Sequence, residues 1–158
     1  MKTLVLAVDS EKPELAKIRV AAGLVRKGGL VAFPTETVYG LGADALDGEA
    51  VLRLFEAKKR PLDNPPIVHV CDVDDVRRLV VDVSSEAERL MGRFWPGPLT
   101  LLFRRSKVVP DVAVAGLDTV AVRMPRHAVA LALIRESGCP ISAPSANLAG
   151  RPSPTCAG

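Results

Sequence analysis

Four segments of the chain gather polar or conformationally special residues where an ordinary core would not. The first, Pro34-Thr35-Glu36-Thr37-Val38-Tyr39-Gly40-Leu41-Gly42, directly follows an apolar run. Strand ends of α/β sheets are where ligands bind, and two hydroxyls, a carboxylate, a phenol and two glycines could surround a small polar substrate closely. A turn held by its own hydrogen bonds accounts for the same residues. The glycines form neither GxGxxG nor GxxxxGK[ST], so dinucleotide and P-loop chemistry have no basis here.

The second segment runs from Lys58 through Arg60 and Asn64 to Pro66, with His69 just beyond. Cations at a helix end complement its dipole. The same cations, at the start of a proline-stiffened loop, could instead meet a polyphosphate, arginine by bidentate contacts and lysine as a point charge. His69 alone reads as a satisfied core histidine as readily as a base. In the third segment, Thr119 to Met124, apolar Val120 and Val122 alternate with Ala121 and Arg123, so Thr119 and Arg123 share a strand face. An arginine in such a strand is costly unless paired or exposed. A cleft arginine binding a carboxylate and an arginine on an open sheet face both resolve the conflict. The fourth, Ser142 to Thr155, sets Ser145, Asn147, Arg151 and Ser153 among prolines, a rigid donor-rich loop suited to an anion or simply to the surface. Glutamine is absent from the chain, and its only asparagines, Asn64 and Asn147, both fall in these loops.

Elements to position these segments can be read from caps and periodicity. Thr3 to Val8 predicts a short strand. Ser10 caps a helix from near Pro13 with Leu15, Ile18, Ala22 and Val25 on one face, stopped by Gly28-Gly29. Leu30 to Phe33 suits a buried strand, and Asp47 caps a helix over Gly48 to Lys59. Ile67 to Val70 reads as a strand, followed by helices capped by Asp72 and Ser84, the second reaching about Phe94. Trp95-Pro96-Gly97-Pro98 is a turn. Strands over Leu99 to Phe103 and Thr119 to Met124 flank a loop around Pro110. A helix over Ala128 to Ser137 precedes a strand at Ile141 to Ala143. This alternation predicts an α/β (α+β) domain, a mixed sheet with flanking helices, occupying residues 1–158 without repeat or linker.

Composition narrows the function classes. At 158 residues, 48% hydrophobic and 25% charged, the chain suits one globular domain. No apolar run approaches the ~20 residues that span a bilayer, which with the absence of a signal-peptide core predicts a cytoplasmic protein. Net charge +3 permits an anionic ligand without indicating a nucleic-acid coat. Three dispersed cysteines, Cys71, Cys139 and Cys156, argue against a disulfide framework or a zinc site.

Taken in order, PTETVYGLG, Lys58-x-Arg60, the Asn64 loop with VHV, WPGPLT, DTVAVRMP and Ser145-x-Asn147 resemble the YrdC-like L-threonylcarbamoyladenylate synthases over Gly28 to Thr155. The resemblance implies a twisted open sheet with a concave basic cavity. It also implies a reaction in which L-threonine, bicarbonate and ATP, with Mg2+, give L-threonylcarbamoyl-AMP and pyrophosphate. A tRNA threonylcarbamoyl-transferase complex then modifies tRNAs reading ANN codons. Carried over by position, Thr37, His69, Arg123 and the backbone near Ala143 surround threonine. Lys58, Arg60, Asn64, Thr119, Ser145, Asn147 and Ser153 hold ATP. No catalytic nucleophile, general base or protein-bound metal is implied. The family domain continues past Gly158 with a serine-containing loop and an arginine-containing segment, so this chain is expected to be either a fragment or a shortened member, with full turnover depending on those segments. Two other readings of the same residues are a tRNA or double-stranded RNA-binding module and a carbamoyl-transfer domain like that of hydrogenase-maturation proteins.

Overall fold

The computed structural model describes residues 2–157. Its strands are β1 (Val31–Phe33), β2 (Gly40–Asp44), β3 (Val68–His69), β4 (Leu101–Arg104), β5 (Thr119–Arg123) and β6 (Ile141–Ser142). They form one open sheet in the order β1-β2-β6-β3-β5-β4, in which β3 and β5 run parallel and every other pair antiparallel. The helices are α1 (Leu15–Arg26), α2 (Gly48–Lys58), α3 (Val73–Leu79), α4 (Ser85–Phe94) and α5 (Ala128–Ser137), with a 3-10 turn at Asp111–Val114. This is the mixed α/β sheet with flanking helices that the alternation of elements predicts.

Side-chain caps set three helix starts. Asp47 accepts from the Glu49 and Ala50 amides, Asp72 from Asp74, and Ser84 from Ala87. The apolar faces then choose sides. Val51 and Phe55 of α2, Val76 and Leu79 of α3 and Met91 of α4 pack with Val68, Phe103, Val120 and Val122 on one side of the sheet. On the other, Ile18, Ala22 and Val25 of α1 join Val129, Ala130, Leu133 and Ile134 of α5 over Phe33 and Ile141. Register carries this second face onward: Ile141 opposes His69, and His69 opposes Arg123. Further out Ala121 opposes Leu102 and Thr119 opposes Arg104. Leu102 is 68% exposed, so the outer part of this face is left open beyond α1 and α5.

Two expectations fail, each for a physical reason. Residues Thr3 to Val8 form no strand, because β1 pairs only with β2 and the segment finds no place in the sheet. Leu4 and Val5 stay exposed, and Val8 alone reaches the core of α1 and α5. Nor does Ser10 cap α1. Asp9 accepts from the Glu11 and Lys12 amides, and the cap residue Glu14 uses its carboxylate on the Asp9 amide at 2.9 Å. That backbone contact, ahead of the Lys17 ammonium, holds the Glu14 carboxyl down at about 2.

A third departure is β2, a strand built on glycines that the sequence places around a possible ligand. Glycine is depleted in strands, so propensity does not reveal it. Its role is close approach. A Cβ on Gly42 would lie 2.6 Å from Ile141 Cγ2 and 2.8 Å from Phe33 Cε1, and one on Gly40 would lie 3.2 Å from Ala143 Cβ. Gly42→Ala therefore overpacks the sheet where β1, β2 and β6 meet. It is expected to destabilise the protein by about 1–3 kcal/mol in denaturant unfolding, with Gly92→Ala as the control because open space surrounds Gly92.

Candidate functional site

The loop between β1 and β2 is folded on its own hydroxyls. Thr35 Oγ1 donates to Val38 O at 2.6 Å, and the Thr37 amide donates back to Thr35 Oγ1 at 3.2 Å. This turn delivers Glu36 and Thr37 to the end of β5. There Arg123 Nη2 donates to Thr37 Oγ1 at 3.2 Å and pairs with Glu36 Oε1, while Glu36 Oε2 accepts the Arg126 amide. Arg123 is 8% exposed, so its counter-charge, not an open sheet face, resolves the cost of a charge in this strand. The sequence offers the Glu36 carboxylate only among groups that could surround a substrate, not as the partner of Arg123. The signal was present: an unpaired strand arginine requires an acid, and Glu36 adjoins Thr37.

His69 is register-paired with Arg123 on the parallel neighbour β3. It is buried, its Nδ1 is 3.2 Å from Ile67 O, and its ring meets Phe33 edge-on with centroids 6.1 Å apart. A carbonyl only accepts, so Nδ1 is the protonated nitrogen in this arrangement. Burial pushes its pKa down to about 4, against a weaker opposite pull from the Ile141 and Ile67 backbone. His69 is therefore neutral at physiological pH and adds no charge beside Arg123. Ala143, whose amide donates to Ile67 O at 2.9 Å, lies at the same end of the sheet.

The remaining residues gather around the loop after β6. Its backbone is laced to the first loop: Tyr39 N donates to Pro154 O at 2.9 Å, Ala146 N to Tyr39 O at 2.8 Å and Leu41 N to Pro144 O at 3.0 Å. Lys58 ends α2 with its side chain buried, and its ammonium donates to the carbonyls of Ser145 and Asn147. Burial, and then the Arg60 charge, lower its pKa. The expectation that Lys58 points to a phosphate thus meets a lysine already committed to two backbone carbonyls, with one N–H left over. Arg60 bends over its own loop, Nε donating to Asn64 O at 2.7 Å and Nη2 reaching Pro65 O at 3.4 Å. Ser153 Oγ donates to Asn147 Oδ1 at 3.1 Å, and Asn147 Nδ2 to Leu148 O at 2.9 Å. Thr119 stands apart. Four residues from Arg123 along the same strand face, it is about 13 Å away.

Two groups of residues result. Thr37, His69, Arg123 and Ala143, with Glu36, sit at the end of the central strands; Lys58, Arg60, Asn64, Ser145, Asn147 and Ser153 form a donor-rich rim beside them. A surface pocket of about 370 Å³ lies elsewhere, lined by Cys71, Asp72, Asp75, Arg135 and Cys139. The cysteines are free, and burial raises both thiols of that pocket, Cys139 to about 12, so neither is a nucleophile at neutral pH. Among the described residues no group of three or more His, Cys, Asp or Glu is placed to hold a metal ion. Nor is any helix there long and apolar enough to cross a membrane.

A mixed open sheet with a paired arginine at the end of one strand and a polar loop rim defines an α/β domain with a polar site at the ends of its central strands. Comparison makes the family specific. Residues 23–158 match the Sua5/YciO/YrdC family model, described as "Telomere recombination". The threonylcarbamoyl-AMP synthase of Pyrococcus abyssi is 60% identical over 147 residues, 93% of this chain and 43% of that protein. The synthase of Bacillus subtilis is 53% identical, over 94% of this chain and 42% of its own length. The crystal structure of P. abyssi Sua5 complexed with L-threonine superposes with a TM-score of 0.90 at 61% identity, over 92% of this chain and 43% of that one. This chain belongs to the Sua5/YciO/YrdC family, and it spans less than half the length of these relatives.

The buried neutral histidine has a consequence for stability. His69 has a folded pKa near 4 and an unfolded value near 6.5, so between these the unfolded chain binds more protons. Its contribution is intact above pH 6.5 and is lost as pH falls towards 4, by up to about 3 kcal/mol. Denaturant midpoints measured across pH 4 to 7 should fall more steeply for the native protein than for His69→Asn, which lacks that proton site.

Proposed function

We propose that this chain supplies the threonine- and ATP-binding core of an L-threonylcarbamoyladenylate synthase. The observation that carries this reading is Arg123, a guanidinium held almost out of solvent at the end of β5 with a hydroxyl and a neutral histidine beside it. Such a group suits one planar carboxylate, and its Nε has no acceptor among the described residues although Nη2 is paired with Glu36. Support also comes from the family, and from the L-threonine present in the structure of the P. abyssi relative.

In this reading Arg123 takes the threonine carboxylate, with Thr37, His69 and the backbone near Ala143 closing around the rest of the amino acid. The rim of Arg60, Asn64, Ser145, Asn147 and Ser153 receives ATP, with Thr119 further along β5. Lys58 acts mainly by fixing the Ser145 and Asn147 carbonyls, so that the loop amides and hydroxyls keep their positions. Magnesium enters as the counter-ion of ATP. The threonine amine attacks bicarbonate and water leaves, giving a carbamate. A carbamate oxygen then attacks the α-phosphorus and pyrophosphate departs. Neither step needs a protein nucleophile. The contribution of the protein is to hold two anions in line and to neutralise phosphate charge. Product passes to the apparatus that acylates tRNA, in the cytoplasm.

Calorimetric titration with L-threonine, with and without Mg-ATP, tests the reading. Threonine should bind more tightly than serine by about tenfold, the difference one buried methyl makes. Arg123→Ala should weaken threonine by about 100-fold or more while leaving ATP binding intact, because it removes a charged hydrogen bond and strands Glu36. Equal loss of both ligands would remove Arg123 from the threonine site.

A further inference from the structure

We infer that Glu36 recognises the α-ammonium of the amino-acid substrate, so that Glu36 and Arg123 together form a receptor for a zwitterion rather than for a carboxylate alone. The inference rests on the threonine reading of this site.

The argument begins with charge. Arg123 Nη2 contacts Glu36 Oε1 and Thr37 Oγ1, so the resting site is already neutral. Neutral His69 leaves that balance unchanged. A ligand bearing only a carboxylate would bring a second negative charge against Glu36, at a site where few water dipoles remain to screen it. A zwitterion brings none. Its carboxylate answers Arg123 while its ammonium answers Glu36, and every charge keeps a partner.

Geometry favours the same assignment. The Glu36 carboxylate is fixed from one side, by the Arg126 amide on Oε2 and by Arg123 on Oε1. Each carboxylate oxygen can accept a further hydrogen bond. The side chain of Glu36 is 19% exposed against 10% for Arg123; its Oε1 is itself buried, so the spare lone pair of Oε2 is the one that an ammonium would meet. Arg123 Nε is also buried and has no acceptor among the described residues. The guanidinium is thus under-satisfied and the carboxylate has unused capacity, the complement of an α-amino acid. The Thr35–Thr37 turn holds Glu36 in place, since Thr37 shares Arg123 with it and donates its amide to Thr35.

Calorimetry on the native protein, Glu36→Gln and Glu36→Asp decides the matter. The probes are L-threonine, its analogue 2,3-dihydroxybutanoate, in which hydroxyl replaces the amine, and Mg-ATP. The native protein should prefer threonine over the analogue by at least about tenfold, as expected for a charged hydrogen bond. Glu36→Gln should weaken threonine by about tenfold or more, bring the two ligands within a few-fold of each other and leave ATP binding unchanged. Glu36→Asp should recover part of the preference. If Glu36→Gln weakens both amino-acid probes equally, Glu36 only shapes the site and the inference is overturned; an unchanged preference overturns it as well. Should Glu36→Gln not fold by circular dichroism, a native preference below tenfold is itself sufficient to reject it. Failure of the native protein to bind either probe, with ATP still bound, would instead reject the threonine reading on which it stands.

Discussion

One charge in the middle of a sheet governs the arrangement of this site. Arg123 ends β5 with its guanidinium nearly out of solvent, and burying such a group unpaired costs several kcal/mol. The fold therefore has to bring an acid to it from elsewhere in the chain. Glu36 arrives on the loop that joins β1 to β2, and that loop is turned sharply enough to reach because Thr35 supplies the hydrogen bonds of its own turn. The return strand β2 must then lie tight against β1 and β6, which the glycines at 40 and 42 permit. The pairing of one arginine thus links the glycine strand, the hydroxyl turn and the central strands.

The second half of the site is fixed by backbone rather than by side-chain packing. The loop after β6 exchanges amide and carbonyl bonds with residues 39–41 at three points, and the buried Lys58 ammonium holds two of its carbonyls from below. A loop restrained in this way loses little entropy when a ligand arrives. The arrangement also explains how two functional regions far apart in sequence stay in register: Tyr39 belongs to the first loop by sequence and to the second by hydrogen bonding.

Most of the scaffold was legible in the sequence because its signals are local. Asp47, Asp72 and Ser84 announce their helices by spacing alone, and Val120 and Val122 announce a strand. What escaped depends on partners distant in the chain. β2 is a strand only because Phe33 and Ile141 need the space its glycines leave, and Thr3 to Val8 is not one only because no neighbour pairs with it. The site divides similarly. Arg123 stands out as an anomaly within its own strand, and the first-loop threonines as a cluster. The engagement of Lys58 with carbonyls nearly ninety residues away is a tertiary fact with no local trace, whereas Glu36 as counter-ion was signalled by the need of Arg123 for an acid and by its place beside Thr37.

The two faces of the sheet are covered unevenly. One face is buried beneath α2, α3 and α4 over β3, β5 and β4. The other is covered by α1 and α5 only over β1, β2 and β6, although Leu102 and Ala121 would provide apolar surface for a helix to continue across β5 and β4. Hydrophobic burial alone would favour that continuation, by roughly 25 cal/mol for every Å² removed from water. Within this chain, the stretch of the face left without a helix is the one that carries Thr119 and Arg123 together.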